Sequence, residues 1–245
     1  IKALEFKYED HEPVINYCKS KNIEFISTPY DIESAVFLDK LGVKFFKTAS
    51  ADIVDLPLHK FLAATRKRVI ISTGMATLGE IEAVLSIYRR EDISKVSLLH
   101  CVSNYPCSYQ SLNLNVLKTL KEVFDLPVGF SDHAVGSFPA VVSVALGASI
   151  IEKHFTLNKN FSNFRDHKLS ADFIDMKNLV NSIRKIEKQL GVKEKKINKI
   201  EKGYLKILRR AAYAKEDIKK NSKILENQIV FQRPWHSNSS LDPKK

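Results

Sequence analysis

At 245 residues, with 44% apolar and 27% charged side chains, the chain has the balance of a soluble globular protein: one large domain, or a barrel with a small appendage. That balance excludes a fibrous or low-complexity protein. The longest weakly polar stretch, Phe138 to Ile151, is too short to span a bilayer and contains Pro139 and Gly147.

The net charge of +11 is concentrated, because residues 184–223 hold 15 Lys and Arg against 5 Asp and Glu. With few aromatics and with Glu187, Glu194 and Glu201 at helical spacing, this run reads as a solvated helix and connector and not as a nucleic-acid surface. Three cysteines, Cys18, Cys101 and Cys107, form no CxxC pair, which argues against a disulfide framework and for a reducing cytoplasm. Cys101 follows the apolar run Val96 to Leu99, where a small buried thiol is the commoner outcome than a nucleophile.

In chain order, the first element is a helix over about Glu9 to Ser20. The chain thus opens on a helix, and an N-terminal piece is expected before it. Short apolar runs then read as strands: Ile23–Ser27, Lys44–Thr48, Arg68–Ser72, Val96–Cys101, Pro127–Phe130 and Ser149–Phe155. Between them lie stripes of helical period, formed by Ile32, Val36, Phe37 and Leu41, by Leu78, Ile81, Leu85 and Tyr88, and by Leu114, Leu117, Leu120 and Val123. A long helix from about Asp172 to Leu190 and a lysine-rich helical connector follow. After Arg209-Arg210 come a short strand at Ala211–Ala214, a turn at Asp217–Lys220 and a second short segment at Ile224–Val230. Trp235 to Lys245 has no periodicity and is expected to be disordered.

Strands alternating with helices imply a parallel sheet covered on both sides. An open doubly wound sheet fits the strand count as well. However, no strand is followed by a glycine-rich nucleotide turn, and almost every strand ends in polar side chains. A mouth fed by all strand ends is the plan of a (β/α)8 barrel, which is the expected fold.

His133 and His154 each close a strand-like run, and the runs are adjacent in the chain. Parallel neighbours place equivalent ends about 5 Å apart, so two imidazoles can converge on one divalent ion. The alternative is one histidine capping a strand and the other packed in the core. Side chains two apart share a face, so Glu152 and His154 point inward while Lys153 points away, and Ser131 and His133 share a face opposite Asp132. Lys153 is therefore a poor Schiff-base lysine. Lys47, with Thr48 and Ser50, ends another strand, and Thr28, Ser103 and Ser131 lie on the same rim. One cation with several hydroxyl donors suits a phosphate dianion. Taken singly, Ser50 and Thr28 could be no more than helix N-caps.

The segments Phe25-Ile-Ser-Thr-Pro-Tyr-Asp, Phe46-Lys-Thr-Ala-Ser, Ile71-Ser-Thr-Gly-Met-Ala-Thr, Leu99-His-Cys-Val-Ser-Asn-Tyr-Pro, Gly129-Phe-Ser-Asp-His and Ile151-Glu-Lys-His-Phe-Thr resemble the sialic acid synthase family, in order and spacing, from about Leu4 to Pro234. The resemblance implies a barrel mouth that binds phosphoenolpyruvate and a divalent ion, Mn2+ or Mg2+. It places His133 and His154 on the metal, and Lys47, Ser50, Thr28, Ser103 and Ser131 around the phosphate. It sets Tyr105 and Asp166 against an N-acetylated amino-sugar, with Glu152 beside the metal and the reacting carbonyl. Glu152 and Asp166 are the proton-handling candidates. Only the resemblance singles out Asp166.

Two departures stand out. Phe164-Arg165 replaces the family's Gly-Pro before Asp166-His167. The family's first two strands, which carry a glutamate and a lysine, have no counterpart before Ile1. The expected organisation is therefore a partial barrel over 1–190 lacking two strands, a charged linker over 191–208, and the first half of an antifreeze-like (SAF) domain over 209–245.

The implied reaction condenses phosphoenolpyruvate with an open-chain N-acyl-mannosamine or related 2-acetamido sugar, releasing phosphate and a nonulosonic acid. The intact protein is expected to be a domain-swapped homodimer, with no nucleic-acid or membrane partner, and residues 1–245 alone are expected to be inactive. Two alternatives remain: another phosphoenolpyruvate- or sugar-phosphate-using barrel enzyme, and a non-catalytic sugar-binding relative.

Overall fold

The computed structural model describes residues 6–162 and 165–233. The chain divides into two compact units, Ile1–Gly191 and Val192–Lys245.

The first unit begins with α1 (Tyr8–Ser20) and α2 (Ile32–Lys40) and continues as strands alternating with helices. The strands are β1 (Phe45–Thr48), β2 (Arg68–Ser72), β3 (Val96–His100), β4 (Val128–Asp132) and β5 (Ile151–Lys153). The helices are α3 (Leu56–Ala64), α4 (Leu78–Arg89), α5 (Val116–Phe124), α6 (Phe138–Ala145) and α7 (Phe173–Leu190). All strand pairings are parallel and the sheet order is β1-β2-β3-β4-β5, so each strand lies beside its neighbour in the chain. This is the outcome of repeated βα units, since each crossover helix returns the chain to the next position.

The helix starts follow local chemistry. Asp31, Asp55 and Asp172 accept from backbone amides of the first turns of α2, α3 and α7. Thr77 and Glu80 form a reciprocal capping box on α4. The core lies between sheet and helices, where Phe46, Phe130, Leu58, Leu62, Leu85 and Leu98 are fully buried. Every residue of β4 is buried, as a central parallel strand requires. Gly129 is needed there: a Cβ at this position would lie 2.5 Å from the Ile150 carbonyl oxygen and 2.6 Å from Leu99 Cδ2.

Two expectations are corrected. The run Ile23–Ser27 forms no ladder with β1, so it is not a strand; apolar composition alone does not create one without a partner to satisfy the backbone amides. The buried face of α2 is Ala35 and Leu38, while Ile32 from the expected stripe is 43% exposed. Phe37 and Leu41 of that stripe still pack, partly buried, against the core.

The second unit contains α8 (Lys199–Leu208), capped by Asn198 with Glu201, and an antiparallel hairpin of β6 (Ala211–Ala214) and β7 (Ile229–Gln232). The expected connector over 191–208 thus contains a regular helix. The expected disorder of Trp235–Lys245 lies outside the described residues, as does Phe164. No described helix is long and apolar enough to cross a membrane. All three cysteines are free.

Candidate active site

The C-terminal ends of the five strands open into a cavity of about 480 Å³. From β1, Lys47 reaches it, and Ser50 opens the 3₁₀ turn that follows. The loop after β3 contributes Ser103 and Tyr105. β4 and β5 supply Ser131 and Glu152, with His133 and His154 one residue beyond the strands.

The two histidines meet because of the register. Ser131 pairs with Glu152 and Asp132 with Lys153, so the next positions, His133 and His154, stand side by side. Their ring centroids are 5.5 Å apart, with planes at 69°. Tyr105 packs against both, tilted over the His133 ring at 4.2 Å and edge-on to that of His154 at 5.8 Å between centroids. The alternation expected from the sequence shows in the side chains: Lys153 borders the cavity, but its ammonium is buried against the Asp132 carboxylate at 3.0 Å.

Around Glu152 the contacts are close. Ser131 Oγ donates to Glu152 Oε2 at 2.5 Å, and Lys47 Nζ lies 3.3 Å from Oε1. Lys47 is a cation at the cavity floor, its side chain 17% exposed. On the far side, Ser50 Oγ accepts from the Gly74 amide at 3.0 Å and contacts Cys101 Sγ at 3.1 Å. Gly74 leaves room here: a Cβ would come within 2.5 Å of Ser103 Oγ and 2.8 Å of Ser50 Oγ, so both hydroxyls would have to turn away.

The residues fit a divalent cation. His133 Nδ1 lies 2.7 Å from the Val102 carbonyl, an acceptor only, so Nδ1 carries the hydrogen. Ser131 has given its hydrogen to Glu152, and Nε2, 3.3 Å from Ser131 Oγ, keeps an uncommitted lone pair. A ring N–H fixed on a carbonyl with the other nitrogen free is the arrangement of a metal-ligating histidine. Burial, with His154 adding to it, holds the His133 ring below its ordinary pKa and hence neutral. His154 Nδ1 faces Asp166 Oδ2 at 3.5 Å. Among the described residues no three of His, Cys, Asp or Glu are placed to hold a metal ion together, so these two imidazoles would leave the remaining positions to ligand and water.

Burial raises the Cys101 thiol, the Ser50 contact opposing it, and Cys101 therefore remains a protonated floor residue. The Tyr105 phenol is likewise raised, first by burial and then by the Asp166 and Glu152 carboxylates nearby.

Of the residues expected from the sequence, Lys47, Ser50, Ser103, Tyr105, Ser131, Glu152, His133 and His154 line this cavity. Asp166 reaches it through His154. Thr28 does not line it: it borders a separate cavity with Lys7, His11 and Asp31, because the run that carries it is not laddered to β1. Tyr30, two residues on, borders both cavities.

Ser72 is among the lining residues to which the sequence assigns no role. It stands at the end of β2 and is 2% exposed, and its hydroxyl has no partner within the protein. A buried hydroxyl without a partner carries a desolvation cost that a ligand would relieve. The signal was its place in Ser72-Thr73-Gly74 at a strand end.

The fold and the site together define an α/β protein that gathers a cation, several hydroxyls and two imidazoles at one mouth of a parallel sheet. Residues 1–195 match the NeuB family, and the chain belongs to that family. It is 41% identical to the N,N'-diacetyllegionaminic acid synthase of Campylobacter jejuni over 243 residues, covering 98% of this chain and 72% of the relative. It is 34% identical to the pseudaminic acid synthase of Helicobacter pylori over 236 residues, covering 96% and 68%. Among solved structures, the N-acetylneuraminic acid synthetase of Leptospira borgpetersenii, in complex with citrate, is similar with a TM-score of 0.79 and 34% identity, covering 83% of this chain and 70% of that one.

Proposed function

We propose that the protein containing this chain condenses phosphoenolpyruvate with an N-acetylated amino-sugar aldehyde, giving a nonulosonic acid and inorganic phosphate. The observation that carries this reading is the convergence of Lys47, Glu152, Ser131, His133 and His154 in one cavity, in a chain whose relatives are named as synthases of such acids. A new bond joins C3 of the enol to the aldehyde carbon, water adds at C2, and the C2–O bond to phosphate breaks.

Each residue has a task set by its contacts. Lys47, with the hydroxyls of Ser50, Ser72 and Ser103, holds the phosphate dianion; charge-assisted contacts of this kind are the strong ones. Ser131, its hydrogen already on Glu152, sets that carboxylate instead. Glu152, bonded to Ser131 and beside Lys47, moves the proton of the attacking water or of the new hydroxyl. Asp166 orients His154 and reaches the sugar side with Tyr105. Mn2+ or Mg2+ held by His133 and His154 would supply Lewis-acid polarisation of the aldehyde. In this reading the first unit is the greater part of a (β/α)8 barrel and the hairpin unit belongs to an antifreeze-like domain. The whole protein is a soluble homodimer in which that domain covers the partner's mouth.

The test is phosphate release from phosphoenolpyruvate by the complete protein, with a panel of N-acetylated amino-sugars, before and after chelation. Metal-dependent release is expected with at least one sugar, and the His133→Ala and His154→Ala variants should fall to the level of the chelated wild type. Release that ignores the sugar points to another phosphoenolpyruvate-using enzyme. Sugar binding without release points to a non-catalytic relative. Full activity of both variants in chelated buffer would remove the metal from the reading.

A further inference from the structure

Within the β4–β5 wall, beside the cavity that Lys153 borders, lies a buried ion pair that none of these tasks uses. Asp132 and Lys153 occupy paired positions in the ladder, immediately before His133 and His154. Lys153 Nζ lies 3.0 Å from Asp132 Oδ2, and the side chains are 2% and 0% exposed respectively. Asp132 Oδ1 accepts from the Ala134 amide at 2.9 Å, and Lys153 Nζ also donates to the Ala134 carbonyl. Both chain neighbours of His133 are therefore tied to one ammonium on the adjacent strand.

Stability alone is a poor account of this arrangement. Taking both charges out of water costs about as much as their attraction returns, and apolar replacements of the same shape are often as stable. What the pair does supply is geometric restriction. Shifting β5 by one residue would turn the Lys153 ammonium into the cavity, remove Glu152 from it, and strand the Asp132 carboxylate in the core. The clasp on Ala134 also fixes the direction in which the chain leaves β4, and with it the reach of His133 Nδ1 to the Val102 carbonyl at 2.7 Å.

We infer that Asp132 and Lys153 form a positioning pair: they lock the β4–β5 register and the 132–134 turn so that His133 Nε2, the His154 ring and Glu152 converge on the cavity. The purpose of this convergence rests on the proposed function, whereas the geometry does not.

The test uses the complete protein carrying Asp132→Asn with Lys153→Met, beside each single change. The measurements are the thermal midpoint, the imidazole 15N shifts of the metal-free protein, and Co2+ affinity. Each single change should lower the midpoint sharply, because it leaves one buried charge unpaired, and the double change should recover most of that loss. In the double variant the His133 signals should lose the pattern of a ring protonated at Nδ1, and Co2+ affinity should fall roughly ten- to hundredfold, the usual range for removing a group that orients a metal ligand. A stable double variant with wild-type His133 signals and wild-type Co2+ affinity overturns the proposal.

If the double variant does not fold, Asp132→Glu decides, since it keeps the ion pair but displaces the clasp on Ala134. Shifted His133 signals and weaker Co2+ binding support positioning, and unchanged values overturn it. A wild type that binds Co2+ no better than its His133→Ala variant overturns the metal assignment instead, while the His133 signals still decide the role of the pair.

Discussion

The two walls of the cavity are held in different ways. The β4–β5 wall is fixed by a parallel ladder, with Ser131 opposite Glu152 and a buried ion pair within it, and its polar side chains contact one another directly. The opposite wall consists of β1 and the run before α2. There Lys47 and Ser50 are anchored to a laddered strand and a 3₁₀ turn, whereas Tyr30 sits on a stretch with no ladder, and Thr28 on the same stretch stays outside the cavity. Where a ladder exists, side-chain position follows from register and alternation. Without one, proximity in sequence to a strand end fixes nothing.

The largest effect expected from this contrast is on stability. Phe130, in the middle of β4, is fully buried, and Phe130→Ala should cost about 3–5 kcal/mol. Ile23 begins the unladdered run and is 65% exposed, so Ile23→Ala should change stability by no more than about 0.5 kcal/mol. Urea unfolding of both variants checks the pair. Comparable losses would mean that the run is as firmly packed as the sheet.

The β1 wall has its support from behind, and that support should be sensitive to acid. His59 in α3 is fully buried, its Nδ1 2.9 Å from the Tyr88 hydroxyl. Burial pushes its pKa down from 6.5 to about 4, the backbone of Asp52 and the charge of Asp55 opposing the shift only in part. The unfolded chain therefore takes up this proton first as the pH falls. The native state keeps its full advantage above about pH 6.5 and loses it progressively towards pH 4, by roughly 3 kcal/mol in all at 1.36 kcal/mol per unit. Urea midpoints of the wild type and of His59→Gln between pH 7 and pH 4 measure it. Parallel pH profiles would show that another group carries the acid dependence.

Much of the ordered wall was legible in the sequence for one reason: strands consecutive in the chain are neighbours in a parallel sheet. His133 and His154 could thus be brought together by counting alone. The remainder depended on information that is not local. Ile23–Ser27 has a strand's composition but lacks a partner. The buried face of α2 is centred on Ala35, whose small side chain gives a weak periodic signal. Ser72 matters because its hydroxyl is buried and unpartnered, and only the packed neighbourhood reveals that. Asp166 sits in a 3₁₀ turn whose local sequence has no distinguishing pattern, and it entered only through family likeness.

The smallest effect separates the two walls at the level of the ligand. Lys47 and Thr28 were both expected around the phosphate, yet only Lys47 lines the cavity. A charge-assisted contact contributes about 1.5–3 kcal/mol and a neutral one about 0.5–1.5 kcal/mol. Lys47→Ala in the complete protein should therefore weaken phosphoenolpyruvate binding roughly ten- to hundredfold, at 1.4 kcal/mol per factor of ten. Thr28→Ala should weaken it by less than about tenfold even if its hydroxyl reaches the phosphate in the bound state. It should have no effect if the run stays where it is. Calorimetric titration of both variants with phosphoenolpyruvate measures the difference directly. A Thr28→Ala loss as large as that of Lys47→Ala would show that the unladdered run closes onto the ligand and becomes part of the ordered wall. Unchanged affinity in Lys47→Ala would take the phosphate away from β1 altogether.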